Sequence, residues 1–411
     1  MKNAIVLMDY TREQLRSLMF RLEHKTGVNH FIRESVLNFA STSMIILNMI
    51  KKSIKVEVMG FFYETQNQGI IPSRQAFSQA REKISYTAFK DFFEKSCEIA
   101  VNDKEALLYK EKRLFAVDGT SFVVGRLNRL IEFFKEKTTV PEKAMCRISA
   151  VVDVMNETIV NAAVSPFCVG ERALATEQIE ELALVKDAIY LFDRGYWSPD
   201  LVSKIIANGQ EFLMRIQAEN KNAALREGLR IYSFILPGGN EEILVTNIPE
   251  EEMANDELAL LYAKRWGAET KYLELKSRLQ IDRFSGETCN TVLQDIYSTL
   301  YISNLTAFIC SDADKKIAER TEKKKTNILK KRTDLFVLPH SESVLSISVY
   351  LTRKNQARRS NDYAKISAHL SFMSINQSPD LVTTIKLKTP VTFHINPFCD
   401  LPFYTILACG R

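Results

Sequence analysis

Two short apolar segments near the middle of the chain each end in an aspartate, and this pattern most restricts the fold. Residues 114–117 precede Asp118, and residues 188–192 precede Asp193. Short runs rich in aromatic and β-branched residues are typical of buried strands. Side chains that directly follow such strands become accessible at an edge of the sheet. The sequence therefore predicts a sheet that presents two carboxylates at an edge.

Strand-like and helical segments alternate around these two aspartates. Residues 146–164 are interpreted as two strands joined by a turn at residues 156–157, and helices are predicted over residues 171–185 and 199–207. The order β, β, β, α, β, α predicts an α/β fold with a mixed sheet flanked by helices. Three further strand-like segments indicate either a compact β insertion or a continuation of the sheet by hairpins: residues 211–217, 229–236 and 242–247.

The chain is expected to divide into three regions. Residues 1–105 form a helical N-terminal region for DNA binding or pairing, because residues 11–101 show helical periodicity. Residues 106–310 form the catalytic core, with the β insertion at about residues 210–250 and a long amphipathic helix over residues 291–310. Residues 311–411 form a basic C-terminal region that could dimerise or contact DNA.

A short helix within the N-terminal region resembles the second helix of a helix-turn-helix. The segment from Gly69 to Ser73 is predicted to form a turn and an N-cap, followed by a helix that carries Arg74 and Arg81. These two arginines are candidate DNA contacts. A capped surface helix without any DNA contact would give the same pattern.

Composition excludes several classes of protein. A hydrophobic content of 46% over 411 residues excludes a disordered chain, and an excess of 55 basic over 50 acidic residues is too small to identify a nucleic-acid partner. The seven cysteines contain no Cys-x-x-Cys pair, and the histidines show no ligand spacing, so neither a disulfide framework nor a zinc site is predicted. No apolar run reaches membrane-spanning length, and the protein is expected in the cytoplasm. Basic residues cluster locally at residues 323–332 and 353–359.

One helix is predicted to carry an acid, two cations and a phenol on the same face. Tyr262, Arg265, Glu269 and Lys276 fall within a sector of about 60° at helical periodicity. Arginine offers a fork that matches phosphate oxygens, lysine a point charge and tyrosine a hydrogen-bond donor. The face is either an ion-paired surface or a site for a metal ion and a phosphodiester.

Three carboxylates, Asp118, Asp193 and Glu269, could be collected at one edge of the sheet. Mg²⁺ and Mn²⁺ prefer oxygen ligands, and a pair of such ions flanks the scissile phosphate in many phosphoryl-transfer enzymes. Spacing alone is a weak argument because the chain has 50 acidic residues. Asp153, Glu157 and Asp187 are plausible alternatives.

The sequence around each acid resembles a known family. The segments 115–120 (FAVDGT) and 190–196 (YLFDRGY), followed by Tyr262-x(2)-Arg265-x(3)-Glu269-x(6)-Lys276, are similar to the three motifs of bacterial insertion-sequence transposases of the DDE type. The third is similar to the Y-(2)-R-(3)-E-(6)-K signature of the insertion-sequence-four family.

The resemblance implies a ribonuclease-H-like core in which Asp118, Asp193 and Glu269 bind two divalent ions, Mg²⁺ or Mn²⁺. It implies nicking at the ends of a transposon, followed by transfer of the freed 3′-hydroxyl into target DNA. Tyr262, Arg265 and Lys276 would then contact phosphates near the transposon end. The partners would be double-stranded DNA carrying terminal inverted repeats and a second copy of the chain, because two ends must be joined together.

Several alternatives remain open at this stage. Arg194 either pairs with a core acid or faces DNA, and Arg215 pairs with an acid or contacts a phosphate. Trp266 is expected in the core, and the alternative is a platform on which a base stacks. The reason for Gly267 inside the signature helix is not apparent from the sequence. Two rival functions are a ribonuclease-H-like nuclease that cuts without joining and a transposase-derived DNA-binding protein without catalysis.

Overall fold

A seven-stranded mixed sheet forms the centre of the protein. The computed structural model describes residues 2–49, 51–65, 71–134, 143–235 and 239–324. The strands are β1 (Arg113–Gly125), β2 (Ala144–Asp153), β3 (Thr158–Pro166), β4 (Ala188–Phe192), β5 (Glu211–Ile216), β6 (Arg230–Ile235) and β7 (Glu241–Thr246). They lie in the order β3-β2-β1-β4-β5-β7-β6.

The directions of the first five strands define the core. β1, β2 and β3 pair antiparallel, whereas β4 and β5 run parallel to β1. This order, with a hairpin on one side of β1 and parallel strands on the other, is that of a ribonuclease-H-like core. The predicted α/β fold with a mixed sheet flanked by helices is therefore confirmed.

The last three strands continue the sheet. β5 pairs with β4, and the β6–β7 hairpin joins the edge of β5 through antiparallel pairing between β5 and β7. Of the two alternatives left open by the sequence, the structure shows continuation of the sheet by a hairpin. Residues 210–250 therefore do not form a separate β unit.

Helices precede, connect and follow the strands. They are α1 (Lys2–Arg16), α2 (Leu18–His24), α3 (Phe39–Leu47), α4 (Ile54–Glu64), α5 (Arg74–Arg81), α6 (Thr87–Val101), α7 (Asn128–Phe134), α8 (Glu171–Glu181), α9 (Pro199–Ala207), α10 (Lys221–Arg226), α11 (Asn255–Ala263), α12 (Trp266–Leu273) and α13 (Cys289–Lys324). The six helices before β1 confirm the predicted helical N-terminal region.

The N-terminal helices pack directly on the core through α13. The hydroxyl groups of Thr11 and Tyr301 lie 2.9 Å apart, and the amide of Asn304 donates a 2.9 Å hydrogen bond to Ser96. Asn304 also pairs with both backbone polar groups of Ile159 in β3. One continuous apolar cluster thus runs from the N-terminal helices through α13 into the sheet.

The predicted signature helix is interrupted. Tyr262 lies near the end of α11 and Glu269 in α12, with Arg265 at the junction between them. A β carbon on Gly267 would lie 2.9 Å from the side chain of Val154, so only glycine allows α12 to start this close to the β2–β3 turn. The prediction of one uninterrupted helix is wrong, because residues 264 and 265 separate α11 from α12. Lys276 follows in a π-helical turn over Glu274–Arg278.

Some predictions concern residues outside the described part of the chain. The basic cluster at residues 353–359 and most of the cluster at 323–332 lie outside the described residues, as does most of the proposed C-terminal region. Among the residues that the structure describes, none of the helices is both long and apolar enough to cross a bilayer.

Candidate active site

Asp118 and Asp193 lie at the same level on two adjacent strands. Val117 of β1 is opposite Phe192 of β4 in the parallel pairing, and each aspartate comes one residue later. Neighbouring strands lie about 4.8 Å apart. β4 ends here while β1 continues alongside β2 to Gly125, so the two aspartates border a crevice at the carboxyl end of β4.

Arg265 and Tyr262 connect the third acid to this edge. Nη2 of Arg265 donates a 2.8 Å hydrogen bond to Oε1 of Glu269, and the Tyr262 hydroxyl donates a 3.4 Å hydrogen bond to Oδ1 of Asp193. Arg265 also interacts electrostatically with Asp118 and Asp193. The guanidinium group is therefore the shared countercharge of the three acids, and the structure brings Tyr262, Arg265 and Glu269 close to the two aspartates.

Asp118 carries a carboxyl group whose pKa is shifted. Burial raises its pKa to about 6, against the opposing effects of a 2.9 Å hydrogen bond from the Gly119 amide and of Arg265. Glu269 and Glu171 raise this pKa further through their negative charge. The crevice therefore has an excess of negative charge near Asp118, which a cation would relieve.

Tyr272 fixes α12 to the strand that carries Asp118. Its buried hydroxyl donates a 2.7 Å hydrogen bond to the backbone oxygen of Asp118 and lies 3.2 Å from that of Ile148. Because Tyr272 stands on the same helix as Glu269, this contact sets the distance between the helix and the sheet edge. The sequence did not single out Tyr272, because no sequence pattern distinguishes a tyrosine three residues after Glu269 from any other tyrosine.

The carboxylate oxygens of the three acids are chemically suited to bind a divalent cation. Carboxylate oxygens are the ligands that Mg²⁺ and Mn²⁺ prefer. In the described part of the chain, however, no three acidic, histidine or cysteine side chains are close enough to hold a metal ion. Arg265 compensates part of the charge of the acids instead.

The other predicted DNA contacts differ in their environments. Lys276, Arg194 and Arg74 are exposed to solvent. Arg81 is only 2% exposed, and its guanidinium group binds Gln294, Ser285, the Thr291 backbone oxygen and Asp295. Arg81 is therefore an internal anchor between α5 and α13 and is not available to DNA in this structure.

Three further residues resolve alternatives left by the sequence. Trp266 is 61% exposed, so the expectation of a core residue is wrong; its indole ring lies 5.7 Å from the Arg265 guanidinium group. Arg215 pairs with Glu242 at 2.9 Å. Asp153, an alternative acid, is buried in an ion pair with Arg113 and belongs to the core.

The fold and the acidic edge define a ribonuclease-H-like protein with a candidate site for phosphoryl transfer. Residues 109–305 match the family model described as a transposase DDE domain, which contains all three acids. This match supports a DDE transposase. Similar solved structures include a cryo-electron microscopy structure of a piggyBac transposase synaptic complex with hairpin DNA, at 10% identity and a TM-score of 0.46, covering 92% of this chain and 84% of that one. No curated protein sequence matches the chain significantly.

Proposed function

We propose that this protein is a transposase of the insertion-sequence-four family that cleaves DNA at transposon ends and joins them to target DNA. The observation that carries the proposal is the convergence of Asp118, Asp193 and Glu269 around Arg265 within the region that matches the DDE domain. The Y-R-E-K spacing supports the choice of family.

Each acid has a definable role at the sheet edge. Asp118 and Asp193 are held by adjacent strands, and Glu269 by a helix anchored through Tyr272. These three would hold Mg²⁺ or Mn²⁺, which in such sites activates the attacking hydroxyl and stabilises the leaving oxygen. DNA binding would place a phosphate between the acids and the basic side chains.

Tyr262 and Arg265 would change partners when DNA binds. In this structure both contact the acids, Tyr262 through Asp193 and Arg265 through Glu269. A cation among the carboxylates would compete with Arg265 for Glu269 and would leave its fork free for a phosphate. Exposed Lys276 and Arg194 are positioned to contact neighbouring phosphates without such a rearrangement.

The experiment is cleavage of a labelled duplex carrying the inverted repeat that flanks the gene, with Mg²⁺ or Mn²⁺. Wild type is compared with Glu269→Gln, which keeps the shape of the side chain and removes its charge. Asp187→Asn is the matched control, because Asp187 is exposed at the opposite end of β4. We expect metal-dependent cutting at the repeat in wild type and in the control, and none in Glu269→Gln.

A second assay with a precut repeat end separates the rival functions. A transposase gives products in which the 3′ end is joined to target DNA, whereas a nuclease gives none. Binding of the repeat by every variant without cutting by wild type would contradict the enzymatic proposal and favour the DNA-binding descendant.

A further inference from the structure

Arg265 is buried, although its place in the signature motif predicts a contact with DNA. Only 6% of the residue is exposed, whereas the side chain of Glu269, which it binds, is 37% exposed. The acid is thus accessible from solvent and the base is not. A DNA phosphate can reach the guanidinium group only after this arrangement has changed.

Two aromatic rings hold the guanidinium group of Arg265 in its buried position. The ring centres of Tyr262 and Trp266 each lie 5.7 Å from Cζ of Arg265. A guanidinium group within about 6 Å of an aromatic ring is attracted to it. Because the Trp266 ring is largely exposed, it can turn away with little loss of packing. The position of Arg265 is therefore stabilised but can be left.

The hydrogen-bonding capacity of Arg265 is only partly used. Nη2 donates a 2.8 Å hydrogen bond to Oε1 of Glu269, but the buried Nε makes no hydrogen bond within the described part of the chain. A buried donor without a partner is unfavourable. Nε and Nη2 form one edge of the guanidinium fork, which matches two oxygens of a phosphate. A phosphate would therefore satisfy this edge better than Glu269 does.

A second contact of the same kind lies beside the first. The hydroxyl group of Tyr262 donates to Oδ1 of Asp193 over 3.4 Å, which is long for a bond between two oxygens. Two residues whose motif predicts phosphate contacts, Tyr262 and Arg265, are thus each paired with a candidate catalytic acid. Both pairs join the α11–α12 segment to the acids of the crevice, and neither uses the full capacity of its donor.

We propose that the Arg265–Glu269 pair is an autoinhibitory contact, in which Glu269 occupies the arginine fork until a DNA phosphate displaces it. The inference rests on the proposed function and adds that Glu269 weakens DNA binding by the free protein. The exchange breaks the hydrogen bond from Nη2 to Oε1 and forms bonds from Nε and Nη2 to two phosphate oxygens. No covalent bond changes and no proton moves. The chain thus releases its third acid only where a DNA backbone is present.

The test measures DNA affinity in a chelator, so that it does not depend on catalysis. Fluorescence anisotropy gives the dissociation constant of the full chain for a labelled repeat duplex at several salt concentrations. The variants Glu269→Gln, Arg265→Gln and their combination form a double-mutant cycle with wild type. Asp187→Asn is the control, because it removes an equal charge from an exposed position at the opposite end of β4. Urea unfolding of each variant checks that it is folded.

We expect Glu269→Gln to lower the dissociation constant about two- to fivefold, because a partly exposed ion pair leaves only a fraction of wild-type molecules with an open fork. In the Arg265→Gln background the same change should have no effect, since there is no fork to release. Arg265→Gln alone should weaken binding and reduce the slope of log affinity against log salt by about 0.9, because one phosphate contact is lost. Asp187→Asn should match wild type.

The outcomes separate this inference from the proposed function. Equal tightening by Glu269→Gln in both backgrounds overturns the inference, because the acid would then only repel DNA. An unchanged dissociation constant in Glu269→Gln, with a reduced salt slope in Arg265→Gln, also overturns it, because Arg265 would reach phosphate without an exchange. Binding of the repeat no tighter than of an unrelated duplex contradicts the proposed function itself. If Arg265→Gln does not fold, Arg265→Lys replaces it, because lysine keeps the charge and lacks the fork.

Discussion

The negative charge of Asp118 destabilises the folded, metal-free protein. Its pKa is raised to about 6 by burial, whereas an unfolded chain releases this proton near pH 3.9. Between these values the folded state holds a proton that the unfolded state has lost, so stability falls as pH rises from about 4 to about 6. The charge of Asp118 thus lowers stability at neutral pH.

Asp118→Asn is therefore expected to stabilise the metal-free protein by about 1–3 kcal/mol at pH 7 and to have no such effect below pH 4. Asparagine can still accept the Gly119 hydrogen bond but carries no charge. The measurement is urea unfolding in a chelator at both pH values, with Asp187→Asn as the exposed control. Equal stability of wild type and Asp118→Asn at pH 7 would show that burial does not penalise this charge.

Arg81 is expected to be essential for stability because it forms a buried ion pair with Asp295. Arg81→Met leaves Asp295 charged and buried, with Lys51 3.7 Å away as the remaining nearby cation. We expect a loss of about 3–5 kcal/mol in the free energy of unfolding by urea. Arg74→Met, an exposed arginine on the same helix, should change it by less than about 0.5 kcal/mol. Similar losses for the two variants would contradict the anchor role.

These residues show what a sequence can predict at the scale of single side chains. Asp193 directly follows β4, as its apolar run predicted. The prediction that a strand also ends at Asp118 is wrong, because pairing with β2 carries β1 on to Gly125, so Asp118 lies inside that strand. The burial of Arg81 cannot be predicted locally, since Thr291, Gln294 and Asp295, which bind it, lie more than 200 residues later in α13.

At the scale of elements, the local sequence pattern predicts the bounds of some helices and strands, whereas other bounds cannot be predicted from it. β4 and α9 have the predicted bounds, as expected for a short apolar strand and a helix that begins with proline. The signature segment was predicted as one helix because its periodicity is continuous. The close approach of Gly267 to Val154, more than 100 residues apart in the sequence, is a tertiary contact that periodicity cannot reveal.

Gly267→Ala is expected to destabilise the protein, although alanine normally stabilises a helix interior by about 1 kcal/mol relative to glycine. The new methyl group would collide with Val154, so we expect a net loss of about 1–3 kcal/mol in urea unfolding. Gly60→Ala in α4 is the control, because its methyl group would meet no atom within 4 Å. The double change Gly267→Ala with Val154→Ala should recover most of the loss if the collision is its cause.

At the scale of the whole molecule, the N-terminal helices and the sheet share one core. Tyr301 and Asn304 of α13 contact Thr11 and Ser96 on one side, and Asn304 also contacts Ile159 on the other. The expected boundary at residue 105 is thus a change in secondary structure, and the packing across it is continuous. α13 thus connects the N-terminal helices to the sheet.

This shared core predicts that the catalytic region cannot fold without the N-terminal helices. A fragment of residues 106–324 would expose the buried face of α13, including Tyr301 and the Asp295 carboxylate, whose partner Arg81 would be missing. We expect the fragment to show no cooperative urea transition by circular dichroism, and co-expression with residues 1–105 to restore one. A cooperative transition in the isolated fragment would mean that the two regions are separate folding units, and the connection through α13 would then have to be sought in the DNA complex.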